Sequence, residues 1–167
     1  MTTSASDAST SKSSPLRRAL AFLAPGLGAF AAIFAIVQLG AWSGALLLMA
    51  PLGASCVLAF ALPGSPLAQP RSIVGGHLLS TAIGLALQHT VGFHAWSAAL
   101  GVGLAITLMQ LTRTLHPPAG ADPLVVMLGG AAWSFLWTPA LLGSALIVAV
   151  AWAFHRLLRR PYPQRWR

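Results

Sequence analysis

Long apolar runs alternate with short breaks rich in Pro, Gly or polar residues. Their spacing is close to the roughly 20 residues that cross a bilayer as a helix. Six runs can be drawn: Leu16 to Leu39; Gly44 to Leu62, broken by Pro51 and Gly53; Ser72 to Gln88; Trp96 to Thr112; Ala119 to Trp137, broken by Gly129-Gly130; and Pro139 to Leu158. Each is hydrophobic nearly all round, so periodicity does not separate lipid-facing from buried sides. The pattern predicts an all-α membrane protein with six transmembrane segments, the second and fifth interrupted.

Composition sharpens this. The chain has 167 residues, 56% hydrophobic and only 7% charged, where a soluble domain carries about 25% charged residues. Between Ala19 and His155 the formal charges are Arg71, Arg113 and Asp122. The net charge of +8 does not point to nucleic acid, because the basic residues gather at the two ends and in linkers. Arg71 follows the second run, Arg113 the fourth, and the linkers after runs one, three and five carry no Lys or Arg. With six spans, every Arg-bearing linker and both termini fall on one side, expected to be the cytoplasmic side of a bacterial inner membrane. Trp42, Trp96, Trp133 and Trp137 fall at the other, as an interfacial belt would. The polar Ser/Thr/Ala stretch 1–14 reads as a disordered tail, residues 15–158 as the transmembrane domain, and 159–167 as a basic C-terminal tail. The run after Arg17-Arg18 is too long for the apolar core of a signal peptide, so it is read as a retained span. The single Cys56 excludes an intramolecular disulfide.

The chain also echoes itself. Pro51-Leu52-Gly53-Ala54-Ser55 matches Pro118-Ala119-Gly120-Ala121-Asp122 at an offset of 67 positions, and apolar runs follow both. Two three-span units, about 16–90 and 95–158, are expected. An odd number of spans per unit inverts the second copy, and transporters built this way bind substrate where their broken helices meet.

The most unusual stretch is Leu115-His116-Pro117-Pro118-Ala119-Gly120-Ala121-Asp122-Pro123. The prolines force an extended approach, Gly120 permits a turn, and Asp122-Pro123 reads as an N-cap and first residue of a new helix. Ser55 is the matching neutral cap. Asp122, the acidic residue of the membrane region, is a candidate for holding a proton; His116 is a second. His77, behind Gly75-Gly76, is a buried polar candidate. Substrate contacts are placed on His116, Pro117, Pro118, Gly120, Asp122, Gly53, Ser55 and His77, and no role falls to His89, His94 or His155. No metal, cofactor or enzymatic activity is expected: scattered His with one Asp lacks ligand spacing, and nothing in the sequence brings Ser55 or Cys56 to a base.

That nine-residue stretch resembles the signature of the HPP family of integral membrane proteins, named for His-Pro-Pro. Ala50-Pro51-Leu52-Gly53-Ala54-Ser55-Cys56-Val57-Leu58 and Pro66-Leu67-Ala68-Gln69-Pro70-Arg71 are similar to the same family, and the likeness covers roughly Leu16 to Leu158. The resemblance implies four transmembrane helices, against the six segments counted here. It also implies nitrite transport, with which plant and cyanobacterial members are associated. The residue-level expectation meets it: two helix N-termini aimed into the protein would favour a small anion, and Asp122 or His116 would couple its passage to protons. The expected function is therefore a transporter or channel for a small monovalent anion, nitrite first. A non-transporting assembly or sensor subunit is the alternative. The bilayer and the anion are the expected partners, and a homo-oligomer is expected because so short a chain encloses little volume.

Overall fold

The computed structural model describes residues 15–164; the expected N-terminal tail and the last three residues lie outside them. Six α-helices are present among the described residues: α1 (Pro15–Ser43), α2 (Ala50–Cys56), α3 (Pro70–Thr90), α4 (Ala95–Leu111), α5 (Asp122–Leu128) and α6 (Leu142–Leu157). Two helical stretches are long and apolar enough to cross a membrane by themselves: Ala21–Ser43 in α1, and Trp133–Leu157, which joins α6 to the turns before it. Helix α3 has 21 residues but is diluted by polar side chains, and α4 has 17.

The second and fifth segments differ from the expectation of full spans broken in the middle. Each is a short helix entered by non-helical chain. Met49 is extended (φ −137°, ψ 150°), and α2 then runs seven residues into a five-residue π turn, Val57–Ala61. His116 is extended (φ −141°, ψ 101°), and a five-residue 3-10 turn, Pro117–Ala121, leads directly into the seven residues of α5. Each helical piece is roughly 18 Å long at 1.5 Å per residue, short of a bilayer core of about 30 Å. Pro51 does not break α2 because it stands in the first turn, where its missing N–H has no acceptor to disappoint. Gly53 does not break it either; Gly129-Gly130 ends α5, with Gly130 left-handed at φ 56°.

The linkers sort to two ends. At one, the Arg71 guanidinium donates to the Thr112 carbonyl (2.6 Å), the Tyr162 hydroxyl donates to Ala68 O (3.1 Å), and Gln164 N–H donates to Gln69 Oε1 (2.9 Å). The linkers after the second and fourth segments and the C-terminal tail thus meet. Helix α4 ends there with Arg113 left-handed (φ 58°) and Thr114 N–H bonded to Met109 O at 2.8 Å, a Schellman-type stop in an unusual residue. At the other end His89 stacks on Trp133 (5.7 Å). Leu46, Leu48 and Met49 line, with Val125, Ala131 and Phe135, an open vestibule of about 510 Å³.

Packing depends on small residues. On α3, Gly76, Ser80 and Gly84 recur every fourth position, and fifth-segment backbone lies against them. A Cβ at Gly76 would stand 2.8 Å from His116 Cβ and 2.9 Å from Thr114 O; one at Gly84 would stand 2.7 Å from Pro123 Cα. Such small-residue faces let membrane helices approach closely. On α6, Gly143 does the same for Leu47, whose carbonyl would be 2.5 Å from an added Cβ. An apolar core joins α1, α2 and α6 through Ile36, Leu52, Phe60 and Ile147.

Candidate functional site

Where α2 packs on the 3-10 turn before α5, four fully buried side chains form one hydrogen-bonded chain. The Asp122 carboxylate (Oδ2) is 2.7 Å from His77 Nδ1 and accepts from the Thr81 hydroxyl at 3.2 Å. His77 Nε2 is 2.8 Å from Ser55 Oγ. Ser55 Oγ is also 2.8 Å from His116 Nε2, and His116 Nδ1 is 2.8 Å from Leu67 O. Each member comes from a different part of the chain: α5, α3, α2 and the approach to the 3-10 turn. The small face of α3 allows this convergence. Gly76 admits His116, while the Ser80 hydroxyl donates to Ala119 O at 2.6 Å and anchors the 3-10 turn that carries Asp122.

The proton inventory follows from which atoms can only accept. Leu67 O is a carbonyl, so His116 Nδ1 carries a hydrogen. Ser55 has one hydrogen to give and faces two ring nitrogens at 2.8 Å and the more distant Pro51 carbonyl at 3.2 Å; when the hydrogen goes to one of the two nearer rings, the other ring must donate to Ser55. If Ser55 donates to His116, His77 Nε2–H donates to Ser55, and one further proton lies between His77 Nδ1 and Asp122. If Ser55 donates to His77, His116 is doubly protonated and Asp122 accepts from neutral His77. In both arrangements the bonds close only with one proton beyond the ionised carboxylate and two neutral imidazoles. The cluster is then neutral, which its burial favours. The two arrangements interconvert when one proton passes from His77 to Ser55 Oγ and the Ser55 hydrogen passes to His116.

Of the expected site residues, Ser55, His77, His116 and Asp122 are brought together. Gly53 and Pro117 are exposed and stand outside; Pro118 is buried and Gly120 half-buried. Asp122 is not an N-cap. It has helical φ/ψ, the cap position is Ala121 without a side-chain bond, and the carboxylate turns to α3. Ser55 does not cap either. It sits in the last turn of α2, 3.2 Å from Pro51 O. The two short helices therefore do not present free N–H groups through these residues, and polar side chains take their place. Thr81, Ser80 and the Leu67 carbonyl were missed; Ser80 and Thr81 lie three and four positions after His77, on its helix face, and that spacing is the signal that could have found them. His155 is buried rather than interfacial, with Nε2 donating to Ala59 O at 2.8 Å. His94 caps α4 together with Ser97. Among the described residues, no group of three or more His, Cys, Asp or Glu could hold a metal ion.

A family model described as "HPP, transmembrane region" matches residues 14–163. The chain belongs to the HPP family. Two transmembrane proteins of Dictyostelium discoideum are each 38% identical over 128 residues, 71% of this chain and 45% and 41% of theirs. The chain thus spans less than half the length of these relatives. No solved structure matches it. An HPP-family chain is a membrane protein, and the buried polar cluster includes His116 of the His-Pro-Pro stretch.

Proposed function

We propose that this HPP protein is a proton-coupled transporter of a small monovalent anion, nitrite first, in a bacterial inner membrane with both termini cytoplasmic. The observation that carries the reading is the proton relay. A neutral, fully buried chain from Asp122 through His77 and Ser55 to His116 has two closed hydrogen-bond arrangements that differ in where one proton sits. Ionisable groups inside a membrane bundle mark ion or proton pathways. The Leu67 end of the relay belongs to the linker beside Arg71; the Asp122 end is one turn along α5 from Val125 in the opposite vestibule.

The proposed architecture is a pair of inverted three-helix units, and several features support it. At the 67-position offset, Ala50–Ala61 falls on Pro117–Leu128 and Pro70–Thr90 on Trp137–Leu157, end for end. The pairing of α1 with α6 mirrors that of α4 with α3. Gly76 against Thr114 O corresponds to Gly143 against Leu47 O, with the partners exchanged between halves, as a two-fold axis requires. Six crossings then result if each extended approach completes the path that its short helix does not.

The test is flux. Purified protein in liposomes should carry nitrite at a rate that depends on an imposed pH gradient, and Asp122→Asn should remove that dependence. Absence of protein-dependent anion flux under any gradient sinks the reading and favours a non-transporting subunit.

The Asp-His-Ser order also matches a nucleophilic triad. Ser55, however, has no exposed surface and is shared with His116, so a carbonyl substrate has no approach to it in this conformation.

A further inference from the structure

We propose that the Arg-bearing end of this protein holds an anionic phospholipid, with its phosphate on Arg71 and Arg113 and an acyl chain in the groove that leads from them along α3. The site is separate from the polar cluster and does not depend on the transporter reading. The groove has a volume of about 430 Å³ and is lined by Gly75, Leu78 and Ala82 of α3, by Thr112 and Thr114 just after α4, and by Trp137 in the turn before α6. Arg71, Gly75, Leu78 and Ala82 follow one another at intervals of four, three and four residues, which is one stripe of α3. The Arg71 guanidinium donates to the carbonyl of Thr112, a groove wall, at 2.6 Å. That carbonyl belongs to the peptide joining Thr112 to Arg113, so the two cations meet at the mouth. From Gly75 to Ala82 the floor then runs inward for roughly 10 Å at 1.5 Å per residue.

The wall suits hydrocarbon and offers little to a polar solute. The Thr112 and Thr114 hydroxyls bond each other at 2.8 Å, and Thr112 also donates to Leu108 O at 2.7 Å. Thr114 turns its methyl group toward Gly75. The mouth, by contrast, holds positive charge with no counter-charge from the protein. Arg71 spends one guanidinium N–H on Thr112 and has others to give, and Arg113 is exposed. The one acid among the described residues is Asp122, fully buried and bonded to His77. No carboxylate therefore competes for the two arginines. At the membrane surface the abundant anions are lipid phosphates, whose oxygens a guanidinium binds in pairs.

Arg113 gives an independent indication. It is left-handed at φ 58°, where glycine ends a helix without strain. A strained arginine at such a position points to a role for its side chain. Lipid binding also has a consequence for the cluster. Thr114 lies against Gly75 and its carbonyl against Gly76, two residues before His116. A lipid bridging Arg71 and Arg113 clamps that approach to α3 and steadies His116.

The experiment titrates the full chain in nonionic micelles with phosphatidylglycerol or phosphatidylcholine brominated along the acyl chains. Bromine quenches tryptophan fluorescence on contact, and Trp137 in the groove is the reporter. Phosphatidylglycerol should quench saturably, with a half-point at least about tenfold below that of phosphatidylcholine. Trp137→Phe should lose the saturable component. Arg71→Gln and Arg113→Gly should each weaken phosphatidylglycerol binding about fivefold and leave phosphatidylcholine unchanged. Arg113→Gly also relieves the left-handed strain, so without lipid it should melt no lower than wild type; its weaker binding is then not misfolding. Equal half-points for the two lipids overturn the proposal, as does an unchanged phosphatidylglycerol preference in Arg113→Gly. Quenching that appears only on dilution to monomer also overturns it, because a second copy of the chain then fills the groove.

Discussion

Replacing Ser55 by Ala tests whether the four buried side chains act as one unit. The hydroxyl is the shared partner of His77 Nε2 and His116 Nε2, each at 2.8 Å. Truncation leaves both ring nitrogens buried with that partner gone. A buried group stripped of its partner costs about 1–3 kcal/mol, so two give roughly 2–6 kcal/mol. The vacated space is that of one oxygen atom, smaller than the opening a water needs, so solvent does not repair the loss. The bond to Pro51 O is long at 3.2 Å and adds little. For a chain of this size each kcal/mol lowers Tm by about 2–4 °C, which places the expected drop at roughly 5–20 °C. Ser144 provides the control. It is equally buried, but its hydroxyl donates only to carbonyls of its own helix, Ala140 O at 2.6 Å and Leu141 O at 3.1 Å. Those carbonyls keep helical partners, so Ser144→Ala should cost less than about 1 kcal/mol. The assay is thermal unfolding of the detergent-solubilised protein, followed by its Trp fluorescence. Equal shifts for the two variants would refute the coupled cluster, whatever their absolute size.

Further outcomes are expected. Gly76→Ala should destabilise by about 1–3 kcal/mol and lower flux, because its Cβ meets the His116 segment; Gly143→Ala should cost a similar amount against Leu47, and Gly53→Ala, with open space around it, should stabilise by up to about 1 kcal/mol in the same melting assay. Cysteines placed singly at Ser65 and Phe93 in a Cys56→Ala background should react with an impermeant maleimide from opposite sides of the membrane; labelling from one side only would contradict six crossings. A fluorophosphonate probe should leave Ser55 unlabelled, as judged by mass spectrometry of the peptide that contains it, and labelling would revive the hydrolytic reading.

Helix content and membrane character were legible because they depend on composition summed over long windows, which no single contact can override. The partners of the cluster were partly legible. Asp122 and His116 stood out as polar residues beside prolines, and Ser55 emerged from the echo around Pro51. What the sequence could not supply was His77 as the centre of the chain. It lies 22 positions from Ser55 and 45 from Asp122, and only the packing of the chain from Thr114 to Pro123 on the small face of α3, with α2 in turn packed on the 3-10 turn, brings them together. The capping assignments failed for a related reason. A Ser or Asp at a helix start bonds to free N–H groups by default, but a buried imidazole 2.7 Å away is a stronger partner for a carboxylate than a backbone amide.

The proposed duplication explains why there is one polar cluster and not two. At the 67-position offset, Ser55 corresponds to Asp122, His77 to Ser144, His116 to Met49, and Ser80 and Thr81 to Ile147 and Val148. Met49 and Ile147 are buried members of the apolar core, with Val148 packed against it; Ser144 bonds back to its own helix. Met49, Ile147 and Val148 thus supply hydrophobic packing where His116, Ser80 and Thr81 supply polar groups, and Ser55 alone of its set joins the cluster. A perfectly symmetric pair would place two buried carboxylates side by side, and like charges at close range cannot both ionise. A neutral hydroxyl at Ser55, the position equivalent to Asp122, avoids that repulsion. The asymmetry also gives the relay a direction, from Asp122 near the vestibule end to Leu67 near the Arg-bearing end, and a proton-coupled transporter needs a path that joins two different faces of the membrane.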